Sequence, residues 1–299
     1  MKKNYLKYFE KNESIFAWFL NIPSSIIILL VVVFPVFYSF YISLFDLNLR
    51  RTGVKRFIGI GNYLNHLTSL KFLVTLQRTF IFVFFDVLLV LVLALAISIL
   101  LNQKFKGRGI LRAAILIPWA IPSVVNGIMW KWILDSSYGI LNAVLKGLGL
   151  IDQYIPFLSI PFSAFVFAII ASVWKELPFA IILLLAGLQS IPQELYEAAR
   201  VDGATVWQQF KSITLPMIST TLMVVLIFQT MIALKVFDLI YVLTSGGPGD
   251  STEVVGWLLY TEAFKFLKFG SGSAIGYIIA FITFLIVIIY YKFLNREIY

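Results

Sequence analysis

The chain has 299 residues, of which 60% are hydrophobic and only 13% are charged, and its mean hydropathy is +0.92. A soluble domain of this length must expose many side chains to water, so the composition favours a membrane protein. The absence of cysteine excludes disulfides, thiolate zinc sites and cysteine nucleophiles. A net charge of +9 in a membrane protein is typical of contact with anionic membrane lipid, and we expect no nucleic-acid partner.

Apolar runs long enough to cross a bilayer recur along the whole chain. They predict an all-α, polytopic membrane protein in which residues 1–299 form a single transmembrane domain with six helices. The predicted spans are 15–43, 73–101, 108–134, 158–186, 217–243 and 272–294. The first span follows a basic N-terminus, as a signal peptide would. It is too long for a signal peptide and no small-residue cleavage site follows, so we expect it to be retained.

The distribution of Lys and Arg predicts that the N- and C-termini are cytoplasmic. The N-terminal segment before residue 15 and the short loop 102–109 are basic, and both would lie inside. The first external loop contains Arg50, Arg51 and Lys55 and opposes this orientation. Short loops carry most of the orientation signal, and they favour the cytoplasmic N-terminus.

Three further segments have a recognisable local pattern. In the third span, Pro118 and Pro122 predict a distortion. Residues 138–150 have the apolar spacing of a short amphipathic helix lying at the membrane interface, which glycines near its end would terminate. Residues 244–253 are rich in turn formers and predict a loop.

The polar segment 188–216 separates two strongly apolar runs. Pro192 suits the first turn of a helix, Glu194 suits the positive end of its dipole, and Gly203 permits a break. A second short helix is expected over 204–211. From the residues alone, two interpretations remain open: a helix that rests on lipid headgroups, or a surface on which a partner protein docks.

The spacing within this segment is more specific than its composition. Glu197-Ala198-Ala199 is followed after three residues by Gly203, and after nine more by Ile213-x-Leu215-Pro216. This pattern resembles the EAA motif, the signature of ABC-importer permeases. Other segments resemble the carbohydrate-uptake branch of those permeases, the maltose, trehalose and glycerol-phosphate type. They are 116–119, 174–175 with 178–179, 237–238 with 241–244, 246–248 and 270–276.

The resemblance implies the type I ABC importer permease fold in a bacterial or archaeal cytoplasmic (inner) membrane. The implied partners are a second related permease subunit forming a heterodimer, two cytoplasmic ATPase subunits and an extracytoplasmic substrate-binding protein. ATP and Mg would be bound by the ATPase subunits, so we expect no cofactor on this chain. The implied substrate is a di- or oligosaccharide, moved by alternating access. The implied ATPase-coupling residues are Glu197, Ala198, Ala199, Arg200, Asp202 and Gly203.

Charged residues inside the predicted spans give a separate signal. They are Asp86, Lys175, Glu176, Lys235 and Asp238. Each costs roughly 2.5–3.5 kcal/mol at the centre of a membrane helix, so each needs a partner or a water-filled cavity. Lys235 and Asp238 stand three residues apart, a spacing at which two side chains can pair on one face of a helix, and we expect one continuous helix from near Pro216 to reach them. The charges either pair between helices or line a translocation path.

A polar path for sugar hydroxyls would need amides, charges and aromatic faces. The candidate path residues are Asn126, Trp130, Gln229, Lys235, Asp238 and Tyr241. Trp132 fits better as an interfacial anchor.

Several chemical motifs are absent from the sequence. It has no G-x-x-x-x-G-K-[S/T] phosphate loop, no nucleophile–histidine pair and no cluster of metal ligands. We therefore expect no enzyme activity and no metal site on this chain. The alternative function is an ion- or proton-coupled secondary transporter with Asp86, Lys175, Glu176 and Asp238 as relay groups. That function would leave the spacing from Glu197 to Pro216 unexplained.

Overall fold

The computed structural model describes the backbone of residues 13–50 and 55–294 and the side chains of 17–50 and 55–292. The basic N-terminal segment that contributes to the predicted orientation lies outside the described residues, as does Arg51. Contacts divide the chain into two units. Residues 1–65 and 262–277 form the first, and residues 66–261 and 278–299 form the second.

The first unit contains two helical segments, a small β-hairpin and a short helix. They are α1 (Glu13–Ile28), a π-helical turn (Leu29–Val33), α2 (Phe34–Ser43), β1 (Phe45–Leu47), β2 (Lys55–Phe57) and α3 (Gly61–Leu67). The strands β1 and β2 pair antiparallel. Asn62 is buried beside the hairpin and donates to the carbonyls of Ser43 and Phe45, at 2.8 and 2.9 Å. Lys55 Nζ lies 4.2 Å from the ring centroid of Tyr41, so aromatic rings hold this loop cation.

The second unit contains most of the remaining helices. They are α4 (Leu70–Asn102), α5 (Arg108–Ile115), α6 (Ile117–Ala120), α7 (Ser123–Ile133), α8 (Ile140–Gly147), a 3-10 turn (Phe157–Ser159), α9 (Pro161–Gln189), α10 (Gln193–Val201), α11 (Val206–Gln209), a π-helical turn (Phe210–Thr214), α12 (Leu215–Met217), α13 (Ser219–Leu234), α14 (Asp238–Leu243) and α15 (Val255–Tyr260). Three elements have residues in both units: α3, a π-helical turn (Thr261–Lys265) and α16 (Phe269–Leu294).

Four helical stretches are long and apolar enough to cross a membrane. They are Ala17–Ser43, Leu70–Asn102, Pro161–Gln189 and Phe269–Lys292. Two bent pairs raise the number to six in the described part of the chain: Arg108–Ala120 with Ser123–Ile133, bent by 96°, and Val206–Met217 with Ser219–Leu234, bent by 66°. The all-α polytopic class is confirmed, and so is the distortion between Pro118 and Pro122.

Small residues let the central helices of the second unit pack closely. α9 lies along α4, and α13 packs against both. Ala164, Ala168 and Ala171 on α9 are fully buried. A Cβ on Gly187 would stand 2.7 Å from the hydroxyl oxygen of Thr221, so only glycine fits there. Lipid gives helices no hydrophobic drive to associate, so such close packing holds them together.

The fifth predicted span is not one helix, and the prediction of a continuous helix from Pro216 through Asp238 is wrong. The chain bends at Ile218, and α13 ends at Leu234. The N–H groups of Lys235 and Val236 bond to carbonyls three residues back, which closes the last turn. The cause lies in a neighbour: Gly256 has no side chain, so the carbonyl of Val236 fits against it in a non-helical conformation.

The two local predictions outside the spans agree with the structure. α8 occupies Ile140–Gly147, and Gly149 follows with a left-handed φ of +70°. The loop 244–254 is held by its own side chains. The Thr244 and Thr252 hydroxyls lie 2.7 Å apart, and the Thr252 hydroxyl also donates to the Gly247 carbonyl.

One buried carboxylate joins two helices of the second unit. Asp86 on α4 is fully buried, Gln229 on α13 is 2% exposed, and Gln229 Nε2 donates to Asp86 Oδ2 at 2.6 Å. This bond supplies an amide donor to a carboxylate that water does not reach. The predicted buried charge at Asp86 therefore has an interhelical partner.

Replacing Gln229 by Leu should lower the free energy of unfolding by about 1–3 kcal/mol, because Asp86 would remain buried without its amide donor. The Asp86→Leu, Gln229→Leu double variant should recover most of this loss, since apolar replacement of both partners is close to neutral. Thermal unfolding in detergent measures the stability of the single and the double variant. A double variant less stable than Gln229→Leu would show that the bond does not set this energy.

Glu253, in the loop between α14 and α15 and outside the spanning segments, is a second buried carboxylate. It is 2% exposed, and its Oε1 lies 3.4 Å from Lys71 Nζ. Burial raises the pKa of Glu253 above its ordinary value of 4.5, and the opposing effect of Lys71 is smaller. The folded state therefore binds this proton more tightly than the unfolded state does.

This shift predicts a pH-dependent stability. As the pH falls through the raised pKa of Glu253 towards 4.5, the folded state gains a proton that the unfolded state does not, and stability rises. As the pH rises through that raised pKa, the gain is lost. Glu253→Gln should remove this component of the melting-temperature profile, whereas Asp250→Asn in the same loop should only reduce it, because the negative charge of Asp250 contributes to the raised pKa of Glu253 and burial contributes more. An identical pH profile for Glu253→Gln and the wild type would contradict the assignment.

Candidate functional site

A cavity of about 440 Å³ lies within the second unit, where two bent or broken spans meet. Its lining combines polar, charged and apolar side chains. The lining residues are Ser123, Asn126, Ser172, Lys175, Glu176, Phe228, Met231, Ile232, Lys235, Val236, Phe237, Asp238 and Leu239.

The helix breaks place their residues at this cavity. Ser123 is the first residue of α7, immediately after the 96° bend, and Lys235 to Phe237 form the gap between α13 and α14. A Cβ on Gly127 would lie 3.0 Å from Val242 Cβ, so glycine lets α7 approach α14 closely. Interrupted membrane helices are tolerated only inside protein or around a cavity, and they are typical of substrate sites.

Asn126 offers the cavity a hydrogen-bond acceptor. It is fully buried, and its Nδ2 donates to the Ala171 carbonyl at 3.1 Å. Its Oδ1 has no hydrogen-bond partner among the described residues. A buried polar atom without a partner is costly, so this oxygen is suited to a hydroxyl or water donor in the cavity.

Four charged side chains line the cavity. Lys175 Nζ lies 2.8 Å from Glu176 Oε1, and these side chains are only 15% and 9% exposed. Lys235 and Asp238 also line the cavity, but they form no ion pair with each other in the described structure. Of the two alternatives for Lys235 and Asp238, the described structure has them line the cavity without pairing, because the helix ends between them and the three-residue helical geometry is lost.

Only some of the predicted path residues line the cavity. Asn126, Lys235 and Asp238 do so, whereas Gln229 is not in the lining and bonds to Asp86. Trp130 packs edge-on against Trp174, with ring centroids 6.3 Å apart.

Two predicted aromatic residues lie apart from the cavity lining. Tyr241 is 43% exposed and joins a cluster with Phe237, Trp257 and Tyr260. Trp132 is 63% exposed, as an interfacial anchor would be.

Several lining residues were not predicted from the sequence. Ser123 and Ser172 are small polar residues that occur in apolar spans for many reasons. Phe237 lies at the cavity because it occupies the helix break. That stretch contains no proline or glycine, so the sequence does not predict a break there. A search for polar residues in the spans identifies these serines as candidates only if the positions of the helix breaks are also known. In the part of the chain that the structure describes, no group of three or more His, Asp or Glu residues could hold a metal ion.

A second site candidate is the segment around α10. Glu197, Ala198, Arg200 and Asp202 are all exposed, and Ala199 is half-buried. Val201 is 87% exposed beside them, and Gly203 ends the helix with a φ of +78°.

One side of this segment contacts the residues that lead into α12. The Tyr196 hydroxyl lies 2.9 Å from the Thr214 hydroxyl. A capping box joins Thr205 and Gln208 at the start of α11, and Trp207 stacks on Phe210 while remaining 69% exposed. The predicted pair of short helices is therefore present, with a braced inner side and an open outer side that carries apolar residues. Such a surface is typical of a docking site.

Comparison with known proteins places the chain in a family. Residues 90–298 match the family described as binding-protein-dependent transport system inner membrane component. The trehalose/maltose transport system permease protein MalF of Thermococcus litoralis is 39% identical over 98% of each chain. The sulfoquinovosyl glycerol transport system permease protein SmoG of Agrobacterium fabrum is 33% identical over 97% of this chain and 94% of its own.

A solved structure shares the fold. One chain of a bacterial alginate ABC transporter, in complex with an alginate-bound periplasmic protein, has a TM-score of 0.81 over 97% of this chain and 96% of its own, at 24% identity. The chain is thus a transporter permease rather than a catalytic enzyme. It belongs to the inner-membrane permeases of binding-protein-dependent ABC transporters.

Proposed function

We propose that this permease imports a di- or oligosaccharide through the cavity at the two helix breaks. The cavity carries the proposal, because it brings an unpaired amide oxygen, serine hydroxyls and charged groups together inside an apolar bundle. Sugar hydroxyls both donate and accept hydrogen bonds and match such a lining. Relatives named as transport permeases for trehalose/maltose and for trehalose support a carbohydrate substrate.

The proposed assembly has four kinds of partner. A second, related permease completes a heterodimer, two ATPase subunits bind on the cytoplasmic side, and a substrate-binding protein delivers sugar from outside. Membrane lipid surrounds the bundle. ATP and Mg bind to the ATPase subunits, and this chain has no cofactor of its own. The cytoplasmic position of both termini is part of the proposal, since it places α10 on the side of the ATPases.

The proposed coupling element is Glu197 to Gly203. Its exposed charges fix the register of docking, and the neighbouring exposed Val201 and Trp207 supply apolar contact in a helix-in-groove arrangement. ATP-driven closure of the ATPases would move α10, and the Tyr196–Thr214 contact would pass this motion to the bundle.

Co-expression with the cognate partners tests the function directly. The chain should copurify with an ATP-hydrolysing subunit. In liposomes, the assembled complex should take up a disaccharide only with ATP and the loaded binding protein. Uptake by this chain alone, driven by a proton gradient, would support a secondary transporter instead and overturn the proposal.

The Glu197→Ala, Gly203→Pro double variant should weaken ATPase docking or uncouple hydrolysis from uptake. Proline cannot adopt the φ of +78° found at Gly203, and removal of a central docking charge typically costs enough to lower affinity roughly tenfold. The measurement is sugar transported per ATP hydrolysed, together with the affinity for the ATPase subunit.

A matched control lies in the loop 102–109. The Lys106→Ala, Gly107→Pro double variant removes one exposed charge and also places proline at a glycine of positive φ, +86°. It lies outside the proposed coupling element and should transport normally. Normal coupling in the Glu197→Ala, Gly203→Pro variant would show that the coupling element is wrongly assigned.

A further inference from the structure

A second cavity, of about 710 Å³, lies within the second unit between residues 99–104 and 188–214. We call it the α10 cleft. Its walls are the last turn of α4 with the loop that follows, the end of α9, and one side of α10, α11 and the π-helical turn after α11. Its size is typical of a small-ligand site. Among the described residues it shares no lining residue with the cavity at the helix breaks, so it is a separate site.

Both charged side chains that line the α10 cleft are cations, Lys104 and Arg200. Three carboxylates lie nearby in sequence, Glu194, Glu197 and Asp202, but none of them is in the lining. In the part of the chain that the structure describes, neither cation forms an ion pair with a carboxylate. The α10 cleft therefore presents two positive charges without a protein counter-charge.

Arg200 is held so that its charged end can bind a ligand. Gln193, Tyr196 and Arg200 are three and four residues apart, so one face of α10 lines the cleft. Arg200 Nε donates to the Tyr196 carbonyl at 3.2 Å, which fixes the side chain along the helix. Its two terminal nitrogens have no hydrogen-bond partner among the described residues. A guanidinium with free terminal N–H groups can bind a phosphate through two parallel hydrogen bonds.

A pair of hydroxyls adds a neutral donor to the same wall. The hydroxyls of Tyr196 and Thr214 lie 2.9 Å apart, both residues line the cleft, and Thr214 is buried. Each hydroxyl has one hydrogen, and the bond between them uses one of the two. The other hydrogen remains available for a ligand oxygen.

The remaining lining includes an apolar wall, which distinguishes a lipid from a soluble anion. Ile99, Leu188, Val206 and Phe210 belong to it, and Leu188 is buried. An inorganic anion gains nothing from this wall, whereas an acyl chain gains from leaving water. The cations lie beside the point where the apolar run of α4 gives way to polar residues, at Asn102. This is the level at which a spanning helix meets lipid headgroups.

We propose that the α10 cleft binds a phospholipid of net negative charge, with its phosphate on Lys104 and Arg200 and an acyl chain along Ile99 and Leu188. Basic pockets beside spanning helices bind anionic headgroups in this way. A bound lipid would bridge the end of α4 and α10, and so would connect the proposed coupling element to the membrane surface.

Native mass spectrometry of the purified full chain tests the site, with phosphatidylglycerol as the anionic probe and phosphatidylcholine as the probe without net charge. The wild type should bind one phosphatidylglycerol roughly 25-fold more tightly than phosphatidylcholine, because each of two cations near a lipid headgroup contributes roughly fivefold. Lys104→Gln and Arg200→Gln should each lower phosphatidylglycerol affinity roughly fivefold, and the double variant should lose the preference. Lys104→Arg keeps the charge and should keep the preference.

Matched controls are Lys106→Gln and Lys211→Gln, which remove exposed cations from the same two segments outside the lining. They should leave phosphatidylglycerol affinity unchanged. If they lower it as much as Lys104→Gln and Arg200→Gln do, the attraction belongs to the whole basic surface and the proposed site is wrong. Equal affinity of the wild type for the two lipids would also overturn it.

Two further measurements identify the occupant. An excess of inorganic phosphate should leave phosphatidylglycerol bound, and Val206→Ser should weaken the lipid by removing apolar contact. Displacement by phosphate, with no effect of Val206→Ser, would assign the cleft to a soluble anion and overturn the lipid. Binding should persist when the ATPase subunits assemble with this chain, and its loss would assign the cleft to that protein instead. Neither measurement uses sugar or ATP hydrolysis, so failure of the lipid site would leave the proposed transport function intact.

Discussion

A peptide group without a hydrogen-bond partner is costly in hydrocarbon, and this cost fixes where the helices of this chain can stop. Two of the interruptions described above, the one before Ser123 and the one after Leu234, lie within the second unit at the wall of the cavity. At the first, the Ile121 N–H bonds to the Pro118 carbonyl, and at the second, the Lys235 N–H bonds to the Ile232 carbonyl. Short local bonds thus satisfy the freed backbone, and the break exposes side chains that a continuous helix would direct elsewhere.

A third interruption, before α13, bears on the proposed coupling. No rigid rod runs from α10 to Lys235, because the chain bends by 66° before α13. If α10 is the coupling element, its motion would pass through lateral contacts, such as the Tyr196–Thr214 hydroxyls and the close fit of Gly187 against Thr221. α13 ends at the cavity, where Phe228 and Met231 line the wall, so a tilt of this one helix would alter the lining.

Much of the architecture follows from local rules that the sequence displays. The helix Leu70–Asn102 differs by only a few residues from the predicted span 73–101, because apolar length is a local property. The bend near Pro122 is predictable because proline cannot donate the helical hydrogen bond. The break after Leu234 was missed because its cause, the fit of Val236 against Gly256, joins residues from different elements.

The candidate site was predictable to a similar extent. The cost of charges in a span singled out Lys235 and Asp238, and the polar groups that a sugar path needs singled out Asn126; all three reach the cavity. The need for polar groups also singled out Gln229, whose partner Asp86 is 143 positions away in the sequence. A cost argument identifies a residue that needs a partner, but only tertiary packing decides whether that partner is a protein group or a ligand.

Packing also separates the buried charges into two roles. Asp86 is capped by the amide of Gln229, which does not titrate, whereas Glu176 is held by Lys175 at the cavity wall. Membership of an ABC permease family argues against a proton relay through these groups, because the driving force of such a transporter is ATP.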